Sequence, residues 1–90
     1  MDFLDTNLNY HQAGSVVMVQ LGSAANVKLL DDSNFDRYRR HQDYNFFGGY
    51  FDRSPVRLQI PHDGHWHVVV DLGGYAGRVS ASVRVIAAAA

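Results

Sequence analysis

The sequence predicts an all-β protein: a small antiparallel β-sandwich, or a pseudo-barrel or prism of similar size, with about seven strands and one short helical turn. Three observations carry that prediction. Glutamate is absent and Lys28 is the only lysine, set against nine aspartates and seven arginines. Glu and Lys favour exposed helix and Asp favours caps and turns, whereas the abundant Val, Tyr, Phe and Gly favour strands and tight connections. Apolar and polar residues alternate over Val56–Ile60, His65–Asp71 and Arg78–Ile86, the period of a half-buried strand. Glycine and proline punctuate the chain at Gly22, Gly48-Gly49, Pro55, Pro61–Gly64 and Gly73–Gly77, where turns belong.

Taken in order, Phe3–Leu8 alternates weakly and suits an edge-like first strand, with Asn7, Asn9 and Gly14 marking the turn after it. Ser15–Leu21 is apolar at successive positions, as in a strand covered on both faces. Gly22–Ala25 then turns the chain into Asn26–Leu30, with Val27 and Leu29 inward and Lys28 outward; the two strands are expected to form a hairpin. Asp31–Gln42 breaks the alternation. Ser33 is placed to cap a short helix near 33–41, crossing one end of the sheet, with Phe35 and Tyr38 at i,i+3 and Asp36 and Arg40 at i,i+4. Asp43–Arg53 is aromatic at alternate positions, and Gly48-Gly49 predicts a bulge or tight turn there.

Pro55 and Pro61 bracket the strand Val56–Ile60, as prolines do at strand ends. The predicted core comprises Val17, Val19, Val27, Leu29, Val56, Leu58, Trp66, Val68, Val70, Val79, Val83 and Val85. Residues 1–86 are expected to make one domain, with 87–90 an alanine tail. Hairpin pairing of Asp71 with Arg78, and of Ile60 with Trp66, would gather Arg57, Gln59, His67, Asp71, Arg78, Ser80 and Ser82 on one outer sheet face.

Composition excludes several classes of function. A chain of 90 residues buries only ~60–65% of its unfolded surface, enough for one two-layer core but not for a deep internal site. The net charge of −1 gives no global attraction to nucleic acid or anionic membrane. Without cysteine there is neither a disulfide framework nor a thiolate zinc site. Met1–Asp5 lacks the basic and apolar regions of a signal peptide, and no apolar run approaches the ~20 residues of a membrane span. A cytoplasmic protein with no membrane partner is expected. Nor does the pattern point to an enzyme: it has no nucleophile elbow, no cysteine nucleophile and no glutamate for acid–base work. No cofactor is expected either. Gly73–Gly77 opens no helix and has no P-loop lysine, and Asp31–Asp36 puts Phe35 where a calcium loop needs oxygen.

Three features carry possible function. The aromatic segment Tyr44–Phe51 holds more rings than one inward face can take, and Tyr44, Phe47 and Tyr50 are candidates for a protein-binding or self-associating patch. The outer face with Arg57, His67, Asp71 and Arg78 is a candidate for a small polar ligand. His65-x-His67 puts two imidazoles on one strand face, roughly 7 Å apart at Cα, and His62 on the preceding turn could complete a zinc site able to assist hydrolysis. Arg37–Arg40 next to Tyr38 and Tyr44 could grip nucleic acid weakly, but Asp31, Asp32, Asp36 and Asp43 flank and offset it. The pattern favours a non-catalytic binding module over the zinc and nucleic-acid alternatives.

The segments S-A-A-N-V-K-L-L-D-D-S-N-F-D-R-Y-R-R, G-G-Y, R-S-P-V-R-L-Q-I-P and G-H-W-H-V-V-V-D-L-G-G-Y-A-G-R-V occur in that order. Together they resemble a bacterial family of short, β-rich domains of unknown function, domain of unknown function family 1883, some of whose members are fused to TIR-type domains. The resemblance runs from Met1 to Ile86. It implies a compact β-sandwich or prism-like fold and brings no catalytic residues. Through the TIR-fused members it implies an accessory role, such as sensing or partner binding, in a cytosolic signalling or defence system.

Overall fold

The computed structural model describes residues 3–73 and 79–88. Alternation drives the chain into strands β1 (Phe3–His11), β2 (Val16–Leu21), β3 (Ala25–Asp31), β4 (Phe47–Phe51), β5 (Val56–Gln59), β6 (Gly64–Asp71) and β7 (Ala81–Ile86), with one helix, α1 (Asp32–Arg39), between β3 and β4. They pack as two antiparallel sheets, ordered β1-β6-β3-β4 and β5-β2-β7. The interior between them holds Leu8, Val17, Val19, Val27, Leu29, Val56, Ile60, Trp66, Val68 and Val70, with Leu58, Val79, Val83 and Val85 packed against it. All twelve predicted core residues are there. The indole N–H of Trp66 is satisfied by the carbonyl of His62 at 3.1 Å, which lets the ring go fully inside.

The strands match the prediction; their partners do not. β2 and β3 form no hairpin, because β2 pairs with β5 and β7 while β3 pairs with β6 and β4. β6 does not pair with its sequence neighbours either: Trp66 lies opposite Asn9 and Asp31, and Ser82 lies opposite Gln20. Most connections cross from one layer to the other, so strands consecutive in sequence, β3 and β4 excepted, lie in different sheets. The Asp71–Arg78 pairing lies partly outside the described residues.

Local details differ as well. β1 continues through the expected turn to His11, absorbing a bulge between Asn7 and Asn9, where Asn9 takes φ 64°. Gly48 and Gly49 lie inside β4 rather than making a turn. The strand buried on both faces is β6, not β2: Val68 and Val70 face the sandwich interior, while His67, Val69 and Asp71 are buried on the opposite side under α1. Asp31, not Ser33, caps α1 by accepting a hydrogen bond from the Asn34 backbone at 2.9 Å. The helix lies on the outer face of the four-stranded sheet, where Tyr38 packs with Leu30 and Val69, flanked by Phe3, Phe35 and Tyr44.

Candidate functional site

The layer between α1 and the sheet holds Lys28, His67 and Asp71, polar side chains that alternation sends to the outer face. Asp71 is 0% exposed, and every oxygen of its carboxylate is engaged. Oδ1 accepts from Asn26 Nδ2 at 3.0 Å and from the Gly73 backbone at 2.9 Å; Oδ2 accepts from Tyr38 Oη at 2.7 Å and lies 3.1 Å from Lys28 Nζ. Lys28 also donates to Tyr44 Oη at 2.9 Å, and its ammonium sits 5.0–5.5 Å from the ring centres of Tyr38, Tyr44 and Phe46. Burial works to raise the Asp71 carboxyl, but the bonds from Tyr38, Asn26, Gly73 and Lys28 prevail and hold it below the usual carboxylate range. Burial likewise works against the Lys28 ammonium, and its bonds to Tyr44 and Asp71 prevail to raise it. The Tyr38 phenol is pushed up strongly by burial and by its bond to the Asp71 carboxylate. This is a saturated polar core: no polar side-chain atom buried in it lacks a partner.

His67 occupies the other end of the same layer. Its ring stacks on Phe35 with centroids 4.0 Å apart, Nδ1 lies 3.0 Å from Asp5 of β1, and Nε2 lies 2.9 Å from Asp32 at the start of α1. One imidazole thus ties two strands and the helix together. His65 is exposed and meets the edge of Tyr10, while His62 leans on Trp66 and bonds through Nδ1 to the Asp63 carbonyl oxygen. His62, His65 and His67 therefore do not converge, and the described residues contain no group of three His or Asp side chains at metal-ligand spacing. Two arginines of the basic patch are internally paired, Arg39 and Arg40 both reaching Asp36 at 2.8 and 3.1 Å.

The predicted polar face is divided. Asp71 and His67 are buried beneath α1, Arg57 belongs to the other sheet, and Arg78 lies outside the described residues. Arg57 and Arg84 instead flank Met18 on the outer side of β5-β2-β7, with Arg84 Nη2 3.7 Å from Met18 Sδ. An open cleft of about 300 Å³ there is lined by Met18, Gln20, Pro55, Ser82, Val83 and Arg84. The predicted aromatic patch divides too, since Tyr44 is committed to Lys28 and Tyr38. Phe47 and Tyr50 stand on β4 at 51% and 68% exposure, with Phe46 beside them at 40%. β4 is the last strand of its sheet, so its outer edge pairs with no other strand among the described residues. That edge was not legible in the sequence, because an edge is defined by the partner a strand lacks.

Two antiparallel sheets, a single helix over one face and an aromatic free edge define a small two-layer β-domain. The chain belongs to the family described as domain of unknown function (DUF1883), whose model it matches over residues 1–89. No curated protein and no solved structure shows a significant match. No helix among the described residues is long and apolar enough to cross a membrane.

Proposed function

We propose that this domain is a non-catalytic interaction module that takes a protein partner at the free edge of β4, by addition of an extended strand. The observation that carries this reading is the contrast between β4 and the other three sheet edges. An unpaired edge is a template for further strands, and proteins blunt it with charge, proline, bulges or brevity. β1 carries Asp5 and a bulge, β5 has four residues with Arg57 among them and Pro55 before it, and β7 carries Arg84. β4 reads Phe-Gly-Gly-Tyr-Phe, with neither charge nor proline, and exposes two large aromatic rings. Aromatic anchors of this kind carry a large share of binding energy at protein interfaces.

A second reading, a small anionic ligand on the outer face of β5-β2-β7, is favoured by one observation. Neither Arg57 nor Arg84 meets a carboxylate among the described residues, and the three strands contain no acidic residue. Affinity capture with the immobilised full chain separates the two. Phe47→Ala and Tyr50→Ala are expected to weaken a captured protein about tenfold or more each, with Arg57→Ala and Arg84→Ala near neutral. A loss confined to the arginine pair would move the site to the other sheet, and no loss from either pair would refute the module reading.

A further inference from the structure

The two glycines of β4 have different surroundings, and only one of them is required by the folded chain. Gly48 takes φ +128°, and a Cβ there would strike the carbonyl oxygen of Val27 on the neighbouring strand, so β3 demands a glycine at that position. Gly49 has no such reason. Its φ is not left-handed, and an added Cβ would meet nothing within 4 Å. A glycine inside a strand weakens it, and one that its own fold does not need often marks the close approach of another backbone.

We propose that the partner at β4 is a second copy of this chain, whose own β4 adds antiparallel about a two-fold axis passing between the two copies of Gly49. The proposal rests on the reading of β4 as an interaction edge and names its occupant from the strand's self-complementarity. In that register Gly49 lies opposite Gly49, Gly48 opposite Tyr50, and Phe47 opposite Phe51, each of the last two pairs occurring twice. The exposed Tyr50 ring of each copy then covers the bare backbone at Gly48 of the other, the pairing by which aromatic residues offset the weakness of strand glycines. Phe47 meets Trp66 edge-on at 6.2 Å and Phe51 packs on the core, so the Phe47–Phe51 pairs continue both interiors across the junction. The two four-stranded sheets become one of eight strands, within the usual size range. No charged side chain on either β4 opposes another in this arrangement. A single strand pair is a small interface, so the dimer forms with a dissociation constant on the order of tens of micromolar.

The test is sedimentation equilibrium of the full chain from about 10 μM to about 1 mM, a range that brackets that affinity. The weight-average mass is expected to climb from the 10.1 kDa of one chain toward twice that value. Gly49→Lys and Gly49→Asp place like charges opposite each other at the axis while entering open space in the single chain. Each variant is expected to stay monomeric with an unchanged circular dichroism spectrum, and an equimolar mixture of the two to regain dimer. Wild-type protein that remains monomeric at 1 mM overturns the second-copy proposal; the capture experiment on Phe47 and Tyr50 then decides the module reading separately. A dimer that survives Gly49→Lys, or a mixture that does not recover, overturns the register by placing self-association on another surface.

Discussion

Asp71 shows what a buried charge needs in order to stay charged. Tyr38, Asn26, Lys28 and the Gly73 backbone meet its two oxygens, and Lys28 in turn is held by Tyr44 and by aromatic faces. Asp71→Asn removes the charge but leaves the Lys28 ammonium buried without a counterion, a change expected to destabilise by about 3–5 kcal/mol in chemical denaturation. The pH dependence follows from the directions of the shifts. The folded Asp71 carboxyl titrates below its unfolded value, so its contribution is complete above about pH 4 and is lost as pH falls through the folded value. Lys28 and Tyr38 titrate above their unfolded values, so theirs is complete below about pH 10 and is lost as pH rises through the folded values. A melting curve series across pH should therefore fall at both ends, and Asp71→Asn should flatten the acid fall. An acid limb unchanged in the variant would show that other carboxylates govern it. His67 and Asp71 were expected on an open surface because alternation reports only that they leave the main core. It cannot report that a helix with Phe35 and Tyr38 will cover them.

At the level of elements, β4 and α1 make the sharpest contrast between what alternation shows and what pairing decides. Gly48→Ala forces a side chain into a left-handed backbone conformation and against Val27, and is expected to cost about 1–3 kcal/mol. Gly49→Ala, in open space, is expected to be neutral or stabilising by up to about 1 kcal/mol in dilute solution. Equal effects in thermal melts would contradict the difference between the two sites. The strand positions and inward residues were legible because a period of two survives wherever one face is buried, as Val17 and Val19, Val27 and Leu29, and Trp66, Val68 and Val70 show. The helix was legible from Phe35 with Tyr38 and from Asp36 with Arg40, which do form an ion pair at 3.1 Å. The pairing was not legible. A tight connection such as Gly22–Ala25 suits a hairpin and an interlayer crossing equally well, and only the packed layers choose between them. The predicted outer face inherits that difference: Arg57 lies on one sheet, and His67 and Asp71 on the other.

Across the whole molecule, the sandwich joins distant parts of the chain. Phe3 pairs with Asp71, Val16 with Ile86, and Ala25 with Phe51, while no two strands joined by a tight turn pair with each other. Such non-local pairing places refolding in the millisecond-to-second range rather than microseconds, and stopped-flow tryptophan fluorescence of Trp66 measures it directly. A microsecond phase accounting for the full amplitude would contradict that expectation. The same geography bears on how the chain is born. A growing polypeptide cannot pair β1, or pair the edge of β3 that faces it, until β6 has been made, because β6 is the strand between them. Until Asp71 leaves the ribosome, Lys28 lacks its Asp71 counterion and α1 has only the Leu30 side of its floor, without Val69, and the aromatic edge of β4 lies open on a chain that has not closed. Nascent chains crowded along one message would then meet each other first through the strand proposed to join two finished copies.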